Sequence, residues 1–133
     1  LEFRRVLFRS KEDCGIISQE SLMVSVDFFA EALHFNTCLN RKISIDEFGY
    51  IKNCPSMAVD YGKFEKNKLI EVARSIEFQQ WWLLKKDDIA VCSDCELRYA
   101  CSDCRAYTIS GKRCTKPLKC SYNPHNMGWE VIR

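Results

Sequence analysis

The stretch Cys92-Ser-Asp-Cys-Glu-Leu-Arg-Tyr-Ala-Cys-Ser-Asp-Cys104 places four cysteines within thirteen residues and carries Cys-Ser-Asp-Cys at both ends. Thiols this close admit three readings: one closed metal site, two disulfides, or parts of two separate sites. A Cys-x-x-Cys pair readily sets two sulfurs on one metal centre, but zinc ribbons keep their two pairs about 15 to 20 residues apart, each on its own knuckle. Here the separation is five residues. Wrapping all four sulfurs round one zinc at about 2.3 Å needs a cramped loop. Bacterial ferredoxins answer the same crowding by giving the last cysteine of a tight run to another cluster. The spacing therefore favours iron–sulfur over zinc, with distant cysteines on both sides of the quartet available as partners.

Composition narrows the field. The chain has 133 residues, one domain's worth or less, and nine cysteines. Net charge is only +2, with acids and bases intermixed, so nothing draws nucleic acid or an anionic membrane. No apolar run approaches the roughly 18 residues that cross a bilayer, and no signal peptide is visible. A cytoplasmic location is the expectation. An odd cysteine count with Cys-x-x-Cys pairs fits a secreted disulfide framework poorly. Most of the thiols are read as metal ligands.

The first ten residues, Leu1–Ser10, match the translation of a common sequencing-library adapter and are set aside as a non-native segment. On that basis the chain is expected to be the C-terminal portion of a larger protein. Residues 11–36 then form the tail of a preceding catalytic domain, or a connector. Within them Ile16, Ile17, Leu22, Val24 and Val26 look strand-like, whereas Phe28, Phe29, Ala32 and Leu33 have helical spacing.

Lys42–Asp46 alternates and is followed by Gly49, which predicts a β-hairpin over about 42–53 with the glycine at its turn. Leu69, Val72, Ala73 and Ile76 recur at helical intervals, predicting an amphipathic helix over about 65–77 packed on that hairpin. Residues 78–91 read as a strand or extended segment leading to Cys92. From Lys112 onward the chain has few periodic signals and reads as irregular, held by ligands rather than by core. The expected fold class is α+β: a small metal-stabilised domain over 37–133 with a cysteine-rich, mostly irregular or short-helical C-terminal half.

Cys38 and Cys54 flank the hairpin as C-x10-G-x4-C, so a tight turn at Gly49 brings them together at its open end. The quartet follows as C-x2-C-x5-C-x2-C, and Cys114 and Cys120 come after a gap. This pattern resembles the SPASM domain, the C-terminal extension of many radical S-adenosylmethionine (radical SAM) enzymes. The family's pattern is C-x(9–15)-G-x4-C, gap, C-x2-C-x5-C-x3-C, gap, C. The resemblance covers residues 34 to 120, and the quartet's last spacing departs from it by one residue. The phrases CLNRKISID, GYIKNCPS, CSDCELRYACSDCRAY and KCSYNP are similar to peptide maturases encoded beside an ATP-grasp ligase and a small precursor peptide.

The resemblance implies two auxiliary [4Fe–4S] clusters. Cys38, Cys54 and Cys104 bind the first; Cys92, Cys95, Cys101 and Cys120 bind the second. Its implied partners are a precursor peptide and an ATP-grasp ligase of the same pathway. S-adenosylmethionine and its own cluster belong to a barrel with a C-x3-C-x2-C motif, a spacing found nowhere in this chain. The chain is therefore not expected to be catalytic alone. A fourth ligand to the first cluster lies upstream, comes from substrate, or is lacking; Cys14 and His34 are candidates, but the preferred reading of each is structural. Cys114 has no slot in the pattern. The competing class is a non-catalytic zinc-binding interaction module. Trp81 and Trp82 read as core, His125 and Trp129 as a partly buried aromatic tail, and Asp87-Asp88 as a solvated turn. Arg98 and Arg105 are candidates for softening cluster charge.

Overall fold

The computed structural model describes residues 14–109 and 112–131; the adapter-like segment lies outside them. The element order is helix α1 (Val26–His34), strands β1 (Ser44–Ile45) and β2 (Ile51–Lys52), helices α2 (Lys66–Arg74) and α3 (Ile76–Leu83), then strands β3 (Tyr122–Asn123) and β4 (Gly128–Trp129). Short 3-10 turns lie at Lys86–Asp88 and Cys92–Asp94. The class is α+β, with each strand pair an antiparallel hairpin. Among the described residues no helix is long and apolar enough to cross a membrane.

The first hairpin forms where alternation and turn chemistry agree. Ser44 pairs with Lys52 and Ile45 with Ile51. Between them the Asp46 carboxylate accepts from the N–H groups of Phe48 (3.0 Å) and Tyr50 (2.9 Å), closing an Asx-type turn. Gly49 sits at φ +82°, a conformation that favours glycine, and a Cβ there would touch nothing. Backbone geometry alone selects it. The chain then returns along β2: Ile51 N donates to Gly62 O and Tyr61 N to Ile51 O.

The helical region is two helices, not one. The Ser75 hydroxyl donates to Val72 O at 2.8 Å and accepts from Phe78 N at 3.3 Å, ending α2 and capping α3. Serine competes with helical backbone bonds in this way and favours caps over interiors. The predicted 65–77 helix therefore stops at Arg74, and Ile76, counted on its apolar face, is 83% exposed. The extended segment expected from residue 78 is instead helical to Leu83. Phe78 and Trp82, four apart, share one helix face and meet edge-on at 5.6 Å. That pairing outweighs the local alternation that suggested a strand.

Phe78 and Trp82 join Leu39, Ile51, Met57 and Val72 in the core, so hairpin, α2 and α3 bury one another. Trp82 is core as expected and donates from its indole to Lys42 O. Trp81 is partly buried beneath the Arg113 guanidinium.

The C-terminal half has less apolar support but more backbone order than its sequence predicts. Tyr122 is buried against Trp129, their rings 4.9 Å apart, and these residues pair across β3–β4. Residues 14–23 pack onto this half. Ile17, 3% exposed, bridges in parallel to Cys120, its N–H donating to Lys119 O. Met23 N donates to Ala100 O.

Candidate metal centres

The cysteines sort into two groups on two separate cavities. Cys38, Cys54 and Cys104 line a broad groove, together with Cys14. Cys92, Cys95, Cys101 and Cys120 line a second, narrow cavity. The thiols that act most strongly on one another divide the same way. Cys38 feels Cys104 and Cys54, while Cys54 and Cys104 both feel Cys14. Cys92, Cys95 and Cys101 each feel Cys120. The quartet thus splits three to one, with Cys104 on the other side. Cys114 is exposed and lines neither cavity. His34 is exposed at the end of α1 and lines neither.

Local structure sets each thiol. Cys38 opens a turn held by Asn36, whose Oδ1 accepts from the N–H groups of Cys38 (3.1 Å) and Leu39 (2.9 Å). Cys54 leaves β2 into a turn closed by Met57 N to Cys54 O. Cys92 begins a 3-10 turn immediately after Val91, a β-branched residue at φ +68°. That conformation is costly for valine and persists only where the surroundings impose it. Three of the cysteines share a finer feature. Backbone amides act against burial at Cys54 (Ser56), Cys95 (Leu97) and Cys104 (Tyr107, then Ala106), favouring the thiolate at each. Amide donors aimed at sulfur favour thiolate and tune any metal it holds. Gly15 belongs to the same construction. At φ +80°, its backbone lies so close to Cys104 that an added Cβ would stand 2.8 Å from the sulfur.

Burial pushes the thiols of Cys38 and Cys101 up to about 12, and those of Cys54, Cys92, Cys95 and Cys104 upward by the same cause. Each therefore holds its proton near neutrality unless a cation replaces it. Lys42 acts in the opposite sense on Cys38, and Lys86 on Cys92 and Cys101.

Between the groups lies a buried ionic network. Lys86, Asp103 and Arg105 are 5%, 2% and 4% exposed. Lys86 Nζ is 2.8 Å from Asp103 Oδ1 and donates to Cys92 Sγ at 3.6 Å. Arg105 Nη2 donates to Asp103 Oδ1 at 2.7 Å; its Nε lies 2.5 Å from Asp103 Oδ2 as an ion pair without hydrogen-bond alignment. Asn36 Nδ2 donates to Asp103 Oδ2 at 2.7 Å. Burial disfavours charge at both Asp103 and Lys86, but mutual attraction prevails, keeping the carboxyl below and the ammonium above their ordinary ranges. Of the two flanking arginines, Arg105 belongs to this network, whereas Arg98 bonds to Asp87 at 3.0 Å in a partly exposed pair.

The donor chemistry of both groups suits thiolate-bound metal: four sulfurs each, amide donors beside some of them, and cations close by. Among the described residues no three His, Cys, Asp or Glu side chains draw together as a single ion requires. Four sulfurs on one zinc stand about 3.8 Å apart, from tetrahedral bonds of about 2.3 Å. A multi-iron group spreads its ligands over several metals and asks less convergence.

Cys14, Gly15, Asn36, Lys86 and Asp103 are the site residues that spacing alone did not assign. Compared with known proteins, the chain matches no family model, no curated protein and no solved structure.

Proposed function

We propose that this chain is the auxiliary iron–sulfur region of a radical SAM enzyme that modifies a ribosomally made precursor peptide. The observation that carries the proposal is the division of eight cysteines into two sets of four on separate cavities. In this reading Cys38, Cys54, Cys104 and Cys14 hold one [4Fe–4S] cluster, and Cys92, Cys95, Cys101 and Cys120 hold the other. Cys14 closes the first set with protein sulfur. That favours electron transfer over direct capture of a substrate atom. Such clusters, when bound, pass single electrons at potentials set by their surroundings.

The chain's own residues supply the rest. The thiols lose their protons on loading, and the amides of Ser56, Leu97, Tyr107 and Ala106 favour the resulting thiolates. Ile17, Leu22 and Tyr122 line the cavity of the second set and give it an apolar wall. The broad groove beside the first set gives an extended peptide room to lie. Radical generation belongs to a C-x3-C-x2-C barrel elsewhere in a longer, cytoplasmic protein, working with an ATP-grasp ligase on the same peptide.

Anaerobic reconstitution of the chain with iron and sulfide tests this. Two four-iron clusters give brown protein with about eight irons and a matching sulfide content. Colourless protein that retains one or two zinc ions and no sulfide contradicts the proposal and assigns the chain to a zinc-binding interaction module.

A further inference from the structure

The buried network beside the second group carries an unbalanced charge. Lys86 and Arg105 contribute two cations against the single carboxylate of Asp103, and all three are at least 95% buried. Asn36, the other polar side chain on Asp103, is neutral. Arg105 Nη1 donates to the carbonyls of Arg113 (3.0 Å) and Thr115 (2.9 Å), which are also neutral. A net positive charge buried in this way is costly unless an anion completes it. The ammonium of Lys86 points one N–H at Asp103 and another at Cys92 Sγ. Cys92, Cys95, Cys101 and Cys120 face the same cavity, which Lys86 also lines. A four-thiolate metal group is itself anionic, and it lies where the missing charge belongs.

We propose that Lys86 is the charge partner of the group bound by Cys92, Cys95, Cys101 and Cys120, donating to the Cys92 thiolate and raising that group's reduction potential. This rests on the iron–sulfur reading above. Lys86 is a positioning and tuning residue that acts through Cys92. Its reach is selective: the cation acting on Cys38 of the first group is Lys42, whereas Asp103 acts on thiols of both groups. A nearby positive charge stabilises the more negative, reduced form, so removing it lowers the potential; removing a negative charge raises it.

The test is a redox titration of the full chain, reconstituted anaerobically and followed by visible absorbance and electron paramagnetic resonance. Cys54→Ala and Cys95→Ala backgrounds isolate the second and first groups respectively. Lys86→Met is expected to shift the second group's midpoint to lower potential and leave the first nearly unchanged. Lys86→Arg is expected to restore it. Asp103→Asn is expected to shift both groups upward, opposite in sign to Lys86→Met. A second group that loads iron in Lys86→Arg but not in Lys86→Met also supports the assignment, because charge is then needed to hold the anion. Equal midpoints in wild type and Lys86→Met, with iron content intact, overturn it while leaving the iron–sulfur reading standing. Loss of iron in both lysine variants, or a downward shift in Asp103→Asn, overturns it in favour of a packing role. A wild-type chain that takes up no iron overturns both.

Discussion

The two thiol groups are alike in donors and opposite in setting. The first borders a groove of about 1380 Å³ and hangs from the best-packed part of the molecule. Cys38 and Cys54 themselves touch the core of Leu39, Ile51, Met57, Val72, Phe78 and Trp82. The second borders a cavity of about 20 Å³, room for one water-sized body, among loops whose order rests on turns and a two-residue hairpin. One group hangs from the main core; the other lies outside it, among a smaller set of buried residues such as Ile17 and Tyr122, with a buried cation in its wall. A folded scaffold can present ligands before metal arrives, whereas loops of low contact density gain order from the metal itself. Under the iron–sulfur proposal, seating a cluster in so narrow a cavity requires its walls to open, so loading there would be coupled to folding more strongly than at the groove.

The sharpest way to break this contrast is to damage the core. Phe78 is fully buried, and Phe78→Ala is expected to cost about 3–5 kcal/mol in chemical denaturation. Iron bound by the first group falls with it, while the second retains more. Equal losses from the two groups would erase the distinction.

A narrower cut falls on Gly15. Gly15→Ala forces a Cβ to 2.7 Å from the Tyr107 ring and 2.8 Å from Cys104 Sγ, at φ +80°. The left-handed backbone alone costs an L-residue about 1–2 kcal/mol. The expected result is reduced iron at the first group with the second unchanged, read as iron per chain in the Cys95→Ala and Cys54→Ala backgrounds.

The smallest effect is electrostatic and lies in the hairpin. The amides of Tyr50 and Phe48, with Lys52 at 3.0 Å, hold the Asp46 carboxyl below its ordinary 3.8. Because the folded value is depressed, the stabilisation is present above about pH 3.8 and is lost as pH falls through the lower folded value. Asp46→Asn removes this dependence. Acid titration followed by hairpin amide exchange should show protection in the wild type falling toward that of Asp46→Asn as the carboxylate is protonated, while the variant stays flat; the same pH dependence in both would show that the turn does not depend on the charge.

How much of this was legible in the sequence depended on whether a signal was local. Gly49 between alternating residues announced a turn that only a positive φ satisfies, and the hairpin is there. The break between α2 and α3 was hidden because Ser75 is unremarkable within a helical pattern until its hydroxyl is seen to bond in both directions. Trp82 and Leu84 alternate like a strand, while the i,i+4 pair of Phe78 and Trp82 is what the core uses. Cys14 reaches the first group through the pairing of Ile17 with Cys120, which no spacing rule encodes. Lys86 sits in a Lys-Lys-Asp-Asp run that reads as a solvated break. Its burial depends on Asp103, supplied from the quartet itself. Tyr122 and Trp129 pair across β3–β4 from too few residues to show a period.

The most direct measurement of the division of thiols is iron and sulfide per chain in Cys54→Ala and Cys95→Ala, singly and together, after anaerobic reconstitution. Two independent four-iron groups predict about four irons in each single variant, against about eight in wild type, and close to none in the double. If either single substitution empties both groups, or each leaves the iron content at the wild-type level, the cysteines do not form two separate sites.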